Sequence, residues 1–538
     1  MEQEARPEKM PQEGAVQGWR PPAAICLLAV AAFVLLIAPL VLYEHPRMVD
    51  YPNHLARHHI DLVLAGDASP QRPFIDEIYE IDWRPLPNLI GDLLARGLSL
   101  FLPLEKAGRV LSSLVVALWL VAPLLLYRTF WGAWSGWPLL SSLIIYNLAF
   151  SFGFENFLLA APLATLAFAL WAAQRDQKRP LWLLLFALLA TMIYLSHAIA
   201  FGVLGLLVVT YEAAALWRTR AFSSRALMAS ALSLSLVFLP AILHFLTLTP
   251  RQLEQDSSTV FGGIELRLMS LASPFLAFND GWLMLAGGAT AVFFIALVFL
   301  AVARPSGFPG KAALAPGTGL MLLVFGLFAI LVPAKLMGIT LVHVRLPALF
   351  LMLGISAVRW SNVPRAWKGA FALGVACLLF GQTVARMDAW GEHDRDVREL
   401  RAALGRLDLG APLLTVVDDR TSLPVRLSQV SGYAVIERGA FVPTLFTDNY
   451  IVSMKGRYAA LDQRQSLPPL LTWVRSAYEG GGNSATEALP NGGHWRHWWR
   501  DFSFVLLLGD RPLEPLSGLP LIALKRGRFF TLYQVAGH

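Results

Sequence analysis

Apolar stretches close to twenty residues long recur along this chain, among them Ala23–Tyr43, Leu283–Val302 and Ala370–Ala385. A helix of about twenty apolar residues crosses the hydrocarbon core of a bilayer, so repeated runs of this length commit a chain to a polytopic membrane fold. The charge content agrees: of 538 residues, 56% are hydrophobic and 15% charged, whereas soluble domains carry roughly 25% charge. With a mean hydropathy of +0.54, a water-soluble globular fold is excluded.

The hydropathy pattern predicts about eleven spans, near 22–43, 108–127, 137–150, 154–173, 181–195, 199–217, 227–246, 283–303, 317–333, 344–359 and 367–386. Two runs, 137–173 and 181–217, are too long for one crossing. They are expected to break at Phe152–Asn156 and at Ser196-His197, where Gly and polar side chains permit a turn. The first run follows a leader (Met1–Arg20), is too long for a typical signal core and lacks a small-x-small cleavage site, so it is read as a retained span.

The net charge of +7 would suggest a nucleic-acid partner in a soluble protein. Here the basic residues concentrate in short loops, and no nucleic-acid role is expected. The loops holding Arg175, Lys178 and Arg179, then Arg218, Arg220 and Arg225, then Arg304 and Lys311, then Arg359, Arg365 and Lys368 all fall on one side once both runs are split. The positive-inside rule makes that side cytoplasmic, with the N-terminus in and the C-terminus out. The expected organisation is a cytoplasmic leader (1–21), a transmembrane module (22–386) with a long outer loop (44–107), and an extracytoplasmic domain (387–538). That tail has strand-like runs at Leu413–Val417, Phe504–Leu508 and Phe529–Val535 and a helical stretch at Val397–Leu407, which predicts a small α/β domain. The fold class is thus mainly α, a polytopic helical bundle with a C-terminal α/β domain. Cys26 and Cys377 both fall inside spans, which leaves no disulfide framework.

Candidate chemistry lies on the outer side. Asp50 begins the outer loop, where its carboxylate can take a proton from an acceptor or bind a cation, or simply cap the helix that Pro52 opens. Asp50, His54 and His58 recur every four residues, so on a helix they share a face and are candidate ligands for a divalent metal, the one cofactor considered; a plain polar juxtamembrane face is the alternative. Asp76, Glu77, Glu80 and Asp82 read as a solvated acidic face, and Leu89–Leu102 as an amphipathic helix on the membrane surface with Trp83 beside it. Glu155 and His197, at the outer ends of spans, either line a polar cavity or pair with a structural partner, each other included. Lys335, His343 and Arg345 lie outside against the charge bias. Arg345 suits a lipid phosphate through its bidentate donors, and a salt bridge to another outer loop remains the alternative. His494–Arg500 mixes Trp with Arg and His, as membrane-interface belts do. No phosphate-binding GxxxxGK[ST], GxSxG elbow or HExxH occurs.

A first span, an outer loop that opens on an acidic residue (Asp50), a juxtamembrane amphipathic stretch (Leu89–Leu102), further spans and an α/β tail together resemble the GT-C superfamily of integral-membrane glycosyltransferases. Members of its protein mannosyltransferase and lipid A aminoarabinose transferase type carry an Asp-Glu pair at this point, where this chain has Asp50-Tyr51. The resemblance implies inverting transfer of a sugar from a polyprenyl-phosphate donor to a glycan, lipid or protein acceptor at the outer face of a bacterial inner membrane. It further implies Asp50 as the base, Arg345 with His343 or Lys335 on the donor phosphate, and His54, Glu155 and His197 around the substrates. A transporter or flippase of a lipid-linked or anionic substrate, using Glu155, His197 and Arg345 as a relay, is the competing reading, and a non-catalytic envelope-assembly protein a third.

Overall fold

The computed structural model describes residues 20–66, 69–175, 179–220, 223–248, 259–278, 281–305, 307–336, 339–421, 425–447, 450–462, 468–480, 495–509, 516 and 518–537. The first helix, α1 (Ala23–Leu42), leads into a segment of short elements: α2 (Tyr51–Ala65), α3 (Arg72–Ile78), β1 (Tyr79–Ile81) and α4 (Leu89–Ser99). The bundle continues through α5 (Leu104–Trp131), a 3₁₀ helix (Trp137–Ile144), α6 (Leu148–Phe152), α7 (Glu155–Gln174), α8 (Pro180–Ser196), α9 (Ala198–Thr219) and α10 (Ser224–Leu248). Next come α11 (Ile264–Ala272), α12 (Gly281–Ala303), β2 (Lys311–Leu314), α13 (Thr318–Leu331), the two-residue strands β3 (Lys335–Leu336) and β4 (Ile339–Thr340), α14 (Val342–Ala357), β5 (Val358–Ser361) and α15 (Arg365–Leu404).

Among the described residues, seven helices are long and apolar enough to cross a membrane, and Trp137–Phe152, Pro180–Ser196, Thr318–Leu331 and Val342–Ala357 are shorter apolar segments. The chain is an integral membrane protein. α5, α7 and α14 form the centre, while α10 and α12 turn apolar side chains such as Leu232, Leu236, Val292 and Ile295 outward, as lipid-facing helices do.

Both expected breaks occur. α6 stops at Gly153, whose φ of +80° is left-handed and suits glycine, and α7 starts two residues later. At the second break His197 takes an extended φ of −168° and caps α9 with its own ring. The expected span at 137–150 is corrected: it is a 3₁₀ helix and a one-turn α-helix, buried throughout Pro138–Ile144. Irregular backbone at this depth is tolerable only inside protein.

The boundary expected at 387 falls within a helix. α15 runs unbroken for 40 residues, about 60 Å at 1.5 Å per residue, so the last span and the helical stretch expected at Val397–Leu407 belong to one rod. The composition changes near 387 while the helix backbone continues.

Beyond α15 the tail contains β6 (Leu413–Val417), α16 (Gly432–Arg438), β7 (Val452–Met454), α17 (Gly456–Ala460), α18 (Leu471–Glu479), α19 (Trp498–Asp501), β8 (Phe504–Leu508), β9 (Leu521–Arg526) and β10 (Phe530–Val535). Its four-stranded sheet has the order β6-β8-β10-β9, with β6 parallel to β8 and the other pairs antiparallel. β6 and β8 are buried at nearly every position, which explains their continuous apolar sequences. A second, two-stranded pair joins β1, between α3 and α4, to β7 of the tail, Tyr79 opposite Met454.

The acidic cluster flanks this joint. Asp76 bonds Lys455 at 3.2 Å and Glu80 accepts from the Ser453 hydroxyl at 3.0 Å. The belt expected at His494–Arg500 resolves differently. Trp495 and Trp498 are buried, Trp495 stacked on Trp473 and the Trp498 indole N–H donating to the Val474 carbonyl at 3.0 Å, so they fill the tail's core; His494 lies outside the described residues.

Candidate functional site

The site forms where the chain leaves α1 and turns into α2. The Val49 N–H donates to the Ser151 carbonyl (3.1 Å) and the Asp50 N–H to Phe152 (2.9 Å), which ties this turn to the break between α6 and α7. Gly153 makes the approach possible. A Cβ there would lie 3.2 Å from that of Met48 and 3.3 Å from the Asp50 nitrogen.

Asp50 occupies the N-cap position of α2, with a proline in the first turn, yet its side chain makes no cap hydrogen bond. The capping alternative is therefore unrealised, and among the described residues no donor reaches the carboxylate. Surrounding protein pushes the Asp50 carboxyl up to about 8, and the Arg345 guanidinium nearby acts in the opposite direction.

Arg345 lies in the first turn of α14, buried. Its Nη2 donates to the Thr340 carbonyl at 3.1 Å, its Nη1 lies 3.2 Å from His197 Nε2, and its guanidinium carbon sits 3.6 Å from the centre of the Phe154 ring. Nε is buried without a partner. No ion pair reaches Arg345 among the described residues, so the salt bridge to another outer loop is not made. His197 Nδ1 accepts from the Ile199 N–H at 3.2 Å. A neutral imidazole has one bare nitrogen, so His197 accepts either from Ile199 at Nδ1 or from Arg345 at Nε2, and not from both. The buried, unpartnered Nε leaves Arg345 with donor capacity in the site.

A second layer fixes α2. Arg57 forms a buried ion pair with Asp92 of α4 and lies 3.6 Å from the Tyr450 ring centre. His58 Nδ1 stands 3.6 Å from the same Asp92 carboxylate, and His54 Nδ1 3.8 Å from Glu155. His54 also meets the edges of Phe446 and Tyr450 from the tail. Burial and the Arg57 charge depress both imidazoles, that of His58 to about 3, so these histidines stay neutral. A small cavity between α2, α5 and α7 is lined by Tyr51, His54, Ser112 and Glu155.

Of the residues singled out in the sequence, Asp50, His54, Glu155, His197 and Arg345 gather here. The shared-face metal arrangement of Asp50, His54 and His58 is corrected: among the described residues no group of three His, Cys, Asp or Glu could hold an ion, and His54 and His58 lie beside different acids, Glu155 and Asp92. Glu155 and His197 are not partners of one another. The His343 ring faces Arg267 and Ala334, and Lys335 sits in the β3-β4 hairpin paired with Val260; neither contacts Asp50. Sequence reasoning missed Asp92, Phe154, Phe446 and Tyr450. Opposite charges on two amphipathic helices of one loop, Arg57 and Asp92, were the available signal.

The tail closes the site from above. Asn53 Nδ2 donates to Gln429 Oε1 (2.9 Å) and to the Thr444 carbonyl (3.3 Å), and Gly432 of α16 lies on Pro52. A Cβ at Gly432 would meet the Pro52 carbonyl carbon and oxygen at 2.8 Å and Asn53 Oδ1 at 3.0 Å. Backbone cannot yield as a side chain does, so Gly432→Ala is expected to cost about 1–3 kcal/mol and to lower the thermal midpoint in detergent by several degrees. Gly97→Ala, where a Cβ meets nothing within 4 Å, is the control that should leave the midpoint unchanged or slightly raised.

No protein-family model matches the chain, and no curated protein does. Among solved structures it is similar to ArnT from Cupriavidus metallidurans in the apo state, with a TM-score of 0.52 at 13% identity, covering 96% of this chain and 99% of that one. The same enzyme bound to undecaprenyl phosphate gives 0.50 at 14% identity with the same coverage. At this identity the likeness is one of fold, and it extends over almost the whole chain.

Proposed function

We propose that this protein is a membrane glycosyltransferase that moves a sugar from a polyprenyl-phosphate donor to an acceptor at the outer face of a bacterial inner membrane, with the tail extracytoplasmic. The observation that carries the reading is the pairing of an unengaged carboxylate, Asp50, with a buried guanidinium that has no ion-pair partner, Arg345, at the rim of the bundle. The neighbour with bound undecaprenyl phosphate supports a lipid-linked donor on this fold.

In this reaction the acceptor oxygen gives its proton to Asp50 and attacks the anomeric carbon. The bond from that carbon to the phosphate oxygen breaks, and its electron pair leaves with the polyprenyl phosphate. Arg345 holds the phosphate and stabilises the charge that grows on it. His197 and Phe154 set the guanidinium plane, so they are positioning residues. Glu155 and His54 line the acceptor side. The Arg57–Asp92 pair and the tail residues Phe446 and Tyr450 hold α2, and with it Asp50, in register. Tyr51, which stands where relatives of this superfamily have Glu, packs over Gly108 with its hydroxyl 3.4 Å from the Glu105 carbonyl, so this site works with one acidic residue at the turn.

Deleting the gene should remove one envelope glycan modification and make one lipid-linked sugar accumulate, both read by mass spectrometry, with restoration by the wild-type gene. Unchanged glycans together with unchanged lipid-linked sugars would exclude the transferase reading.

A further inference from the structure

A second cavity shares Phe150 in its lining with the one described above. It is lined by Arg47 from the α1–α2 turn, Tyr146 and Ser151 from the irregular segment before α7, and Arg386 and Trp390 from α15. Arg386 is 5% exposed. Its guanidinium carbon lies 3.9 Å from the Tyr146 ring centre, its Nη1 has no hydrogen-bond partner, and no carboxylate pairs with it among the described residues. Arg47, which has interactions of its own, is a buried neighbour in the lining, 5.9 Å from the Phe278 ring centre. A buried guanidinium is costly without an anion, and one whose donors face a cavity is built to receive one.

The depth of the cavity indicates the anion's chemistry. Arg365 and Arg386 are separated by 21 residues of one helix, or about 32 Å, close to the roughly 30 Å of a hydrocarbon core. With Arg365 at one headgroup level, Arg386 stands at the other. Phe380 and Val384, just before it on α15, are exposed and apolar, and Trp390 and Tyr146 are residue types that settle at the interface. We infer that Arg386, with Arg47 beside it, forms a phosphate-binding subsite separate from the Arg345 centre. The proposal goes beyond the transferase reading and does not depend on it.

The subsite is tested on the full-length protein in nanodiscs containing phosphatidylglycerol and phosphatidylcholine. The number of phosphatidylglycerol molecules retained after transfer to mild detergent is read by native mass spectrometry, and the thermal midpoint is read with and without inorganic phosphate. If the ligand is a lipid headgroup, wild type retains one more phosphatidylglycerol than Arg386→Gln, with affinity about tenfold weaker in the variant. If it is free phosphate, inorganic phosphate raises the wild-type midpoint and leaves that of Arg386→Gln unmoved. Arg386→Lys keeps the charge and should recover part of either signal, which separates lost binding from lost folding. Should Arg386→Gln fail to fold, Arg47→Gln is read in its place. Equal lipid retention and equal phosphate response in wild type and variant would overturn the proposal.

Discussion

Replacing Asp50 by Asn is expected to lower kcat/KM for sugar transfer by about 10²–10⁴, the range contributed by a well-placed general base. Asn retains the size of the side chain and much of its hydrogen bonding while removing the proton acceptor. Affinity for polyprenyl phosphate should change little, because Arg345 and its supports Thr340 and His197 remain in place. Thermal stability should also hold, since the Asp50 side chain makes no cap hydrogen bond to lose. The pH profile sharpens the test. A base works when deprotonated, and the Asp50 carboxyl is held near 8, so at pH 7 about one molecule in ten has it ionised. Wild-type kcat/KM should therefore rise nearly tenfold for each pH unit below that value and level off above it. The residual rate of Asp50→Asn should lack this limb. A profile of the same shape in both proteins would assign the proton transfer elsewhere, and a fully active Asp50→Asn would leave Asp50 a structural role only.

The membrane-spanning part of this fold was readable because lipid imposes one rule on backbone and side chains alike: helices of about twenty apolar residues. The splits at Gly153 and Ser196-His197 were legible from residues that favour turns, and the expected helix limits differ from those observed by only a few residues for most spans. The rule is silent where protein replaces lipid. Trp137–Ile144 is as apolar as a span, but its backbone is satisfied as a 3₁₀ helix inside the bundle, and α15 outlasts its apolar part because the tail packs against its polar half. The site was half legible for the same reason. Glu155 and His197 stood out as ionisable groups at membrane depth, whose cost demands an explanation, Asp50 by its place at the start of a long loop, and Arg345 as a cation against the charge bias. Phe154 and Tyr450 did not, because an aromatic ring in an apolar chain carries no mark of the guanidinium it covers. The metal face failed on a more specific point: spacing of four places side chains on one side of a helix, but His54 ends beside Glu155 and His58 beside Asp92, residues of two other helices.

Arg345→Gln is expected to cost about 2.7–4 kcal/mol in the transfer step, or 10²–10³ in kcat/KM, as loss of a preorganised donor to developing charge does. Unlike Asp50→Asn, it should also weaken polyprenyl phosphate binding, because the phosphate is present in donor, transition state and product. Arg345→Lys should restore the charge but not the geometry. The contacts to Thr340, to His197 and to the face of Phe154 suit a planar fork, so the Lys variant should recover phosphate binding more fully than rate. One consequence joins the two residues. The Arg345 charge pulls the Asp50 carboxyl down against the effect of burial, so removing it must raise that carboxyl further. The rising limb of the pH profile should then move to higher pH in Arg345→Gln and stay near its wild-type place in Arg345→Lys. Two residues that merely share a neighbourhood would lose rate independently, and neither substitution would displace the other's titration. A displaced limb in the Gln variant alone would mean that base and phosphate clamp act on one substrate pair within one electrostatic centre; a limb that stays put would separate them, and the transferase mechanism built on their pairing would fail.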